Sequence, residues 1–97
     1  MMTDNAIKIS SHYYLRFQEL LAKTKSVERF AKEAYANGCT DKDIRNAQFR
    51  NYLCRIENKY RHVCAIFIYK GFIYIYDAFT GTAITVFRVP NVYRKYI

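Results

Sequence analysis

Near His62 the hydrophobic pattern of this chain changes its period, and that change constrains the fold more than any other feature. Before it, apolar residues recur every three or four positions, as on one face of a helix. After it, β-branched and aromatic residues gather in short runs, which favour the pleated, half-buried surface of a sheet. The runs predict strands over residues 62–69, 72–78 and 82–89, separated by Lys70-Gly71 and by Phe79-Thr80-Gly81. Turns this short permit only antiparallel neighbours, so the three strands form a meander.

The first half of the chain reads as three helices. After an extended stretch over residues 6–9, Ser10 and Ser11 offer a capping acceptor, and Tyr13, Phe17, Leu20 and Leu21 then share one face. His12, Arg16, Glu19 and Lys23 occupy the neighbouring stripe. Ser26 caps a second pattern, in which Val27, Phe30, Ala31, Ala34 and Tyr35 form the cleanest apolar stripe of the chain. Glu28 complements the dipole in its first turn, and Asn37-Gly38 supplies a residue tolerant of positive φ where the helix stops. Thr40-Asp41-Lys42-Asp43 resembles a capping box and opens a third helix through Ile44, Ala47, Leu53 and Ile56, ending between Cys54 and Asn58. The expected fold class is α+β: three N-terminal helices packed on one face of a C-terminal three-stranded antiparallel meander, one domain over residues 1–97.

With 52% hydrophobic and 25% charged residues, the 97-residue chain has the composition of a folded domain rather than of a disordered one. Its longest apolar run, residues 63–69, is far short of the ~20 residues a spanning helix needs. Cys39, Cys54 and Cys64 are odd in number and widely spaced, which favours a reducing, cytoplasmic setting. Within a strand and a helix, Cys64 and Cys54 are expected to be buried, inert thiols. The most telling bulk quantity is the charge. Sixteen Lys and Arg against eight Asp and Glu give a formal +8, a field that attracts phosphates and acidic surfaces. Ten tyrosines and seven phenylalanines supply rings on which bases can stack.

Several chemistries are unsupported by the residue spacings. No two of Cys39, Cys54, Cys64, His12 and His62 have the close spacing of a zinc site, so no metal is expected. Gly38, Gly71 and Gly81 stand singly, without a phosphate-cradling loop, and no cofactor is expected either. What remains is His12 with Arg16, one helical turn apart. An imidazole can take a proton from a ribose hydroxyl while a guanidinium holds the adjacent phosphate, which is what metal-independent RNA cleavage needs. Thr85, on the last strand, offers a hydroxyl to the same site. Lys59, Arg61, His62, Lys70, Arg88, Arg94 and Lys95 interleave with tyrosines and strand ends, a pattern suited to phosphate contact with base stacking.

Two segments carry a resemblance. Ile9-Ser10-Ser11-His12-Tyr13-Tyr14-Leu15-Arg16 resembles an opening of the form I-T-x-H-x-x-x-R, and Ala83-Ile84-Thr85-Val86-Phe87-Arg88-Val89-Pro90 resembles a closing strand L-I-T-V-x-x-V-P, both as in small proteins of bacteria and their prophages. A helix bearing H-x-x-x-R ahead of a sheet with a threonine-bearing last strand is also distantly similar to the barnase, colicin and RelE-like ribonuclease toxins. That similarity implies RNA cleavage without metal by His12, Arg16 and Thr85. The prophage resemblance implies an alternative as well: an anti-CRISPR or other anti-defence inhibitor that grips a ribonucleoprotein or a host defence protein without catalysis.

Overall fold

In a computed structural model describing residues 8–21, 27–59 and 64–96, the three predicted strands are present as β3 (Cys64–Tyr69), β4 (Phe72–Asp77) and β5 (Thr82–Arg88). Both of their junctions are antiparallel. Lys70 and Gly71 take φ of 50° and 86°, the two positive values that a turn matching the strand twist demands.

The sheet is larger than the meander. Lys8–Ile9 forms β1, parallel to β5, and Cys39–Thr40 forms β2, antiparallel to β3, giving the order β1-β5-β4-β3-β2. A parallel pair needs a long crossover, here filled by every helix and the rest of the sheet. The helices are α1 (Ser11–Leu21), α2 (Val27–Asn37) and α3 (Ala47–Lys59), with 3₁₀ turns at Asp41–Asp43 and Asn91–Tyr96.

The helices do not share one face, contrary to the expectation from sequence. Phe72, Tyr74 and Tyr76 of β4 join Tyr13 and Phe17 of α1 and Val27, Ala31 and Ala34 of α2 in one core. Ile73 and Ile75 join Phe49, Leu53 and Ile56 of α3 in a second. Alternate residues of a strand point to opposite faces, so β4 is covered on both sides and its five apolar residues 72–76 are all buried. Buried tyrosines satisfy their hydroxyls on helix backbone: Tyr13 donates to the Val27 carbonyl at 3.0 Å and Tyr76 to that of Ala31.

Two caps differ from the reading of the sequence. Asp43 does reach back to Thr40, accepting from its N–H at 3.0 Å, but the segment it closes is only the 3₁₀ turn. Helix α3 starts after Asn46, whose Oδ1 accepts from the Phe49 N–H at 2.9 Å, and it runs one residue past the expected limit, to Lys59. Gly38 is not among the positive-φ residues. It is there for space: a Cβ would lie 2.6 Å from the Ala34 carbonyl and 3.0 Å from that of Ile68.

A bulge in β5 fixes where α1 begins. Ile75 pairs with Thr85 and Tyr76 with Ala83, leaving Ile84 as the extra residue. Ser10 Oγ donates to the Ile84 carbonyl at 2.9 Å and accepts from the Tyr13 N–H at 3.0 Å, so one hydroxyl caps the helix and ties it to the bulge. Beside the bulge Thr85 is fully buried, and its hydroxyl has no hydrogen-bond partner among the described residues. A hydroxyl buried without a partner costs about 1–3 kcal/mol. Thr85→Val is therefore expected to raise stability by about 1 kcal/mol, a gain of roughly 4–8 °C in a thermal melt of a domain this size.

Candidate nucleic-acid interface

Helix α1 lies along β5, starting beside Ala83 and reaching Arg88 by its last turn: the Ser10 N–H donates to the Ala83 carbonyl at 2.9 Å, and Arg88 Nη2 approaches the Leu20 carbonyl at 3.5 Å. His12 stands exposed in the first turn, and Arg16 follows one turn later on the same side. The Arg16 guanidinium lies 5.8 Å from the centre of the Phe87 ring and 3.4 Å from Glu19 Oε1. Thr85 does not join them at the surface. A hydroxyl with no solvent access meets no macromolecular substrate in this conformation.

The β3–β4 hairpin gathers the other cations. Lys70 Nζ lies 5.3 Å from the Tyr69 ring centre, and register brings Arg88 opposite Phe72, with its guanidinium 5.3 Å from that ring. The C-terminal 3₁₀ turn closes on the same place. The Val89 N–H donates to the Gly71 carbonyl at 3.0 Å, and a Cβ on Gly71 would lie 2.9 Å from Arg94 Nη2, so the guanidinium rests on the glycine turn. Tyr93 anchors this 3₁₀ turn by stacking on Phe49 at 4.9 Å with rings 5° from parallel. Lys95, on the same turn, lies 5.3 Å from the Tyr96 ring centre. Lys70, Arg88 and Arg94 thus all lie at the hairpin end of the sheet although up to 24 positions separate them in the chain.

Lys59 is elsewhere. It ends α3, the helix that packs on the face of the sheet opposite α1 and α2. Arg61 and His62 lie outside the described residues. Two further residues carry no signal in the pattern of charges: Lys8, exposed and paired with Thr82, and Phe79, which the sequence places only in a turn.

The thiols divide differently from expectation. Cys54 is exposed on α3, as is Cys39, because α3 buries only Phe49, Leu53 and Ile56. Cys64 is half-buried, and burial, with Glu57 and Asp77 adding to it, pushes its thiol up and keeps it protonated. Among the described residues no three His, Cys, Asp or Glu side chains group as metal ligands, and no helix is long and apolar enough to cross a membrane. No family model, curated protein or solved structure matches the chain.

Proposed function

We propose that this chain binds single-stranded RNA along the α1–β5 side and around the β3–β4 hairpin. The observation that carries the reading is the repeated pairing of cation with ring there: Arg16 with Phe87, Arg88 with Phe72 and Lys70 with Tyr69. The charges neutralise phosphates, and the half-buried rings of Phe87 and Tyr69 keep an edge or face for a base, while the buried Phe72 serves only to position Arg88. Arg94, held on the hairpin by the geometry of Gly71, adds a guanidinium whose fork matches phosphate oxygens.

Binding to a labelled single-stranded RNA, followed by fluorescence anisotropy over a range of salt, tests this. Every cation that neutralises a phosphate adds about 0.7 to the slope of log affinity against log salt for a single strand. Arg88→Ala with Arg94→Ala is therefore expected to weaken binding and to flatten the slope by about 1.4. Equal affinity and slope for this variant and the parent would remove the assignment.

His12 motivates a second reading, cleavage by the same site. Exposed and one turn from Arg16, its imidazole would accept the proton of a ribose 2′-hydroxyl while that oxygen attacks the adjacent phosphorus. The products are a 2′,3′-cyclic phosphate and a 5′-hydroxyl, the leaving oxygen taking up a proton. His12→Ala is expected to abolish cleavage measured in EDTA while RNA binding persists through Arg16, Arg88 and Arg94. Cleavage that survives the substitution removes His12 from this role; none by the parent leaves the chain as a binder only, the form in which it would act on a ribonucleoprotein without catalysis.

A further inference from the structure

The β4–β5 turn presents Phe79 with 80% of its surface exposed, more than any other large apolar residue described. Exposed rings on mobile turns mean little, but this turn is closed by a dense set of bonds. One carboxylate oxygen of Asp77 accepts from the Phe79 N–H at 2.8 Å and from the Thr80 N–H at 3.1 Å. The Gly81 N–H donates to the Asp77 carbonyl at 2.8 Å, and Gly81 takes φ of 75°. Thr80 Oγ1 donates to Thr82 Oγ1 at 2.9 Å, which leaves the Thr82 hydroxyl its own proton to donate outward. The ring is thus held out on a fixed base, with the negative charge of Asp77 engaged by backbone N–H groups.

The surroundings are those of the proposed interface. Lys8 pairs with Thr82 at the edge of the sheet, and Ser10, two residues before the exposed His12, is bonded to Ala83 and Ile84. Lys8, His12 and Phe79 therefore mark one end of the α1–β5 side, and Lys70, Arg88 and Arg94 the other, with Arg16 between. The ring by itself is too small for a protein partner: an aromatic side chain covers at most about 250 Å², against about 800 Å² per partner in a stable protein interface. It has the size and flatness of a nucleobase.

We infer that Phe79 is a base-stacking platform for the far end of a bound single-stranded RNA, which runs from the β3–β4 hairpin along α1 and β5 to the β4–β5 turn. This rests on the RNA-binding reading and gives it a footprint. The seven residues of β5 extend about 23 Å at ~3.3 Å each, the length of about seven stacked nucleotides at ~3.4 Å each. A decanucleotide spans both ends; a tetranucleotide reaches only one.

The full-length chain and its Phe79→Ala, Phe79→Trp and Arg88→Ala/Arg94→Ala variants are compared for binding of labelled oligoadenylates of four and ten nucleotides. Phe79→Ala is expected to weaken the decamer roughly tenfold and to leave the tetramer within about twofold, while Phe79→Trp holds the decamer at least as tightly as the parent. If the parent binds the decamer, the arginine variant binds it less well and Phe79→Ala binds it unchanged, Phe79 is no platform although the RNA reading stands. An equal loss on both lengths overturns the two-ended footprint. A parent that binds neither oligonucleotide overturns the inference together with the reading beneath it.

Discussion

Replacing Phe49 with alanine is expected to cost about 3–5 kcal/mol, a large share of a total stability of order 5–15 kcal/mol. Phe49 is completely buried in the core between α3 and the sheet, beside Leu53, Ile73 and Ile75. Its loss removes transfer energy and leaves a cavity among side chains carried on a rigid strand and helix, which can close only in part. It also removes the ring on which Tyr93 stacks, and with it the anchor of the 3₁₀ turn that carries Arg94 and Lys95. Urea unfolding followed by circular dichroism should show a lower midpoint with unchanged slope. In the folded fraction, RNA binding should weaken as well, since Arg94 is no longer anchored; a variant with parental stability would contradict the placement of α3 on its own face of the sheet.

High pH is expected to unfold the protein cooperatively. Tyr13, Tyr74 and Tyr76 are almost without exposure, and burial, reinforced by neighbouring tyrosines and, for Tyr74, by Glu33, raises all three far above the ordinary value of 10.0. The folded state therefore holds three protons that the unfolded chain releases above pH 10. The stability from these groups is fully present below pH 10 and is lost as pH rises beyond it, by about 1.4 kcal/mol per pH unit for each tyrosine, or about 4 for the three. For a total stability of order 5–15 kcal/mol the transition falls roughly one to four pH units above 10. Circular dichroism and tyrosinate absorbance should change together, with the steepness of about three protons. Gradual ionisation of all ten tyrosines in a chain that stays folded would show that these three are not buried as described.

The sequence carried the central sheet because each of β3, β4 and β5 repeats its signal over six or seven residues. Strands β1 and β2 have two residues each, too few to show any period, and their partners lie far away in the chain. That helices cover both faces was legible in principle. Residues 72–76 are apolar without alternation, the pattern of a strand buried on both sides, but short turns draw attention to a meander with one wet face.

The candidate site was legible in the same uneven way. His12 and Arg16 follow from helical spacing alone, and Arg88 meets the hairpin because register places it opposite Phe72. Arg94 could not be placed from sequence, since its approach to Gly71 depends on the path of the chain after Val89. Lys59 is as basic a candidate as the others but ends α3, across the sheet from α1, because local composition says nothing about which face a helix covers. Thr85 faced the hardest ambiguity. A bulge at Ile84 changes which side of the sheet each neighbour shows, and no residue type announces it.

The claim that one side of this molecule binds RNA is tested most directly by following its backbone amide resonances as a single-stranded decanucleotide is added. The largest shifts are expected at His12, Arg16, Lys70, Arg88 and Arg94, with Arg50 and Arg55, exposed on α3 across the sheet, unmoved. Shifts centred on Arg50 and Arg55, or none at saturating RNA, would contradict it.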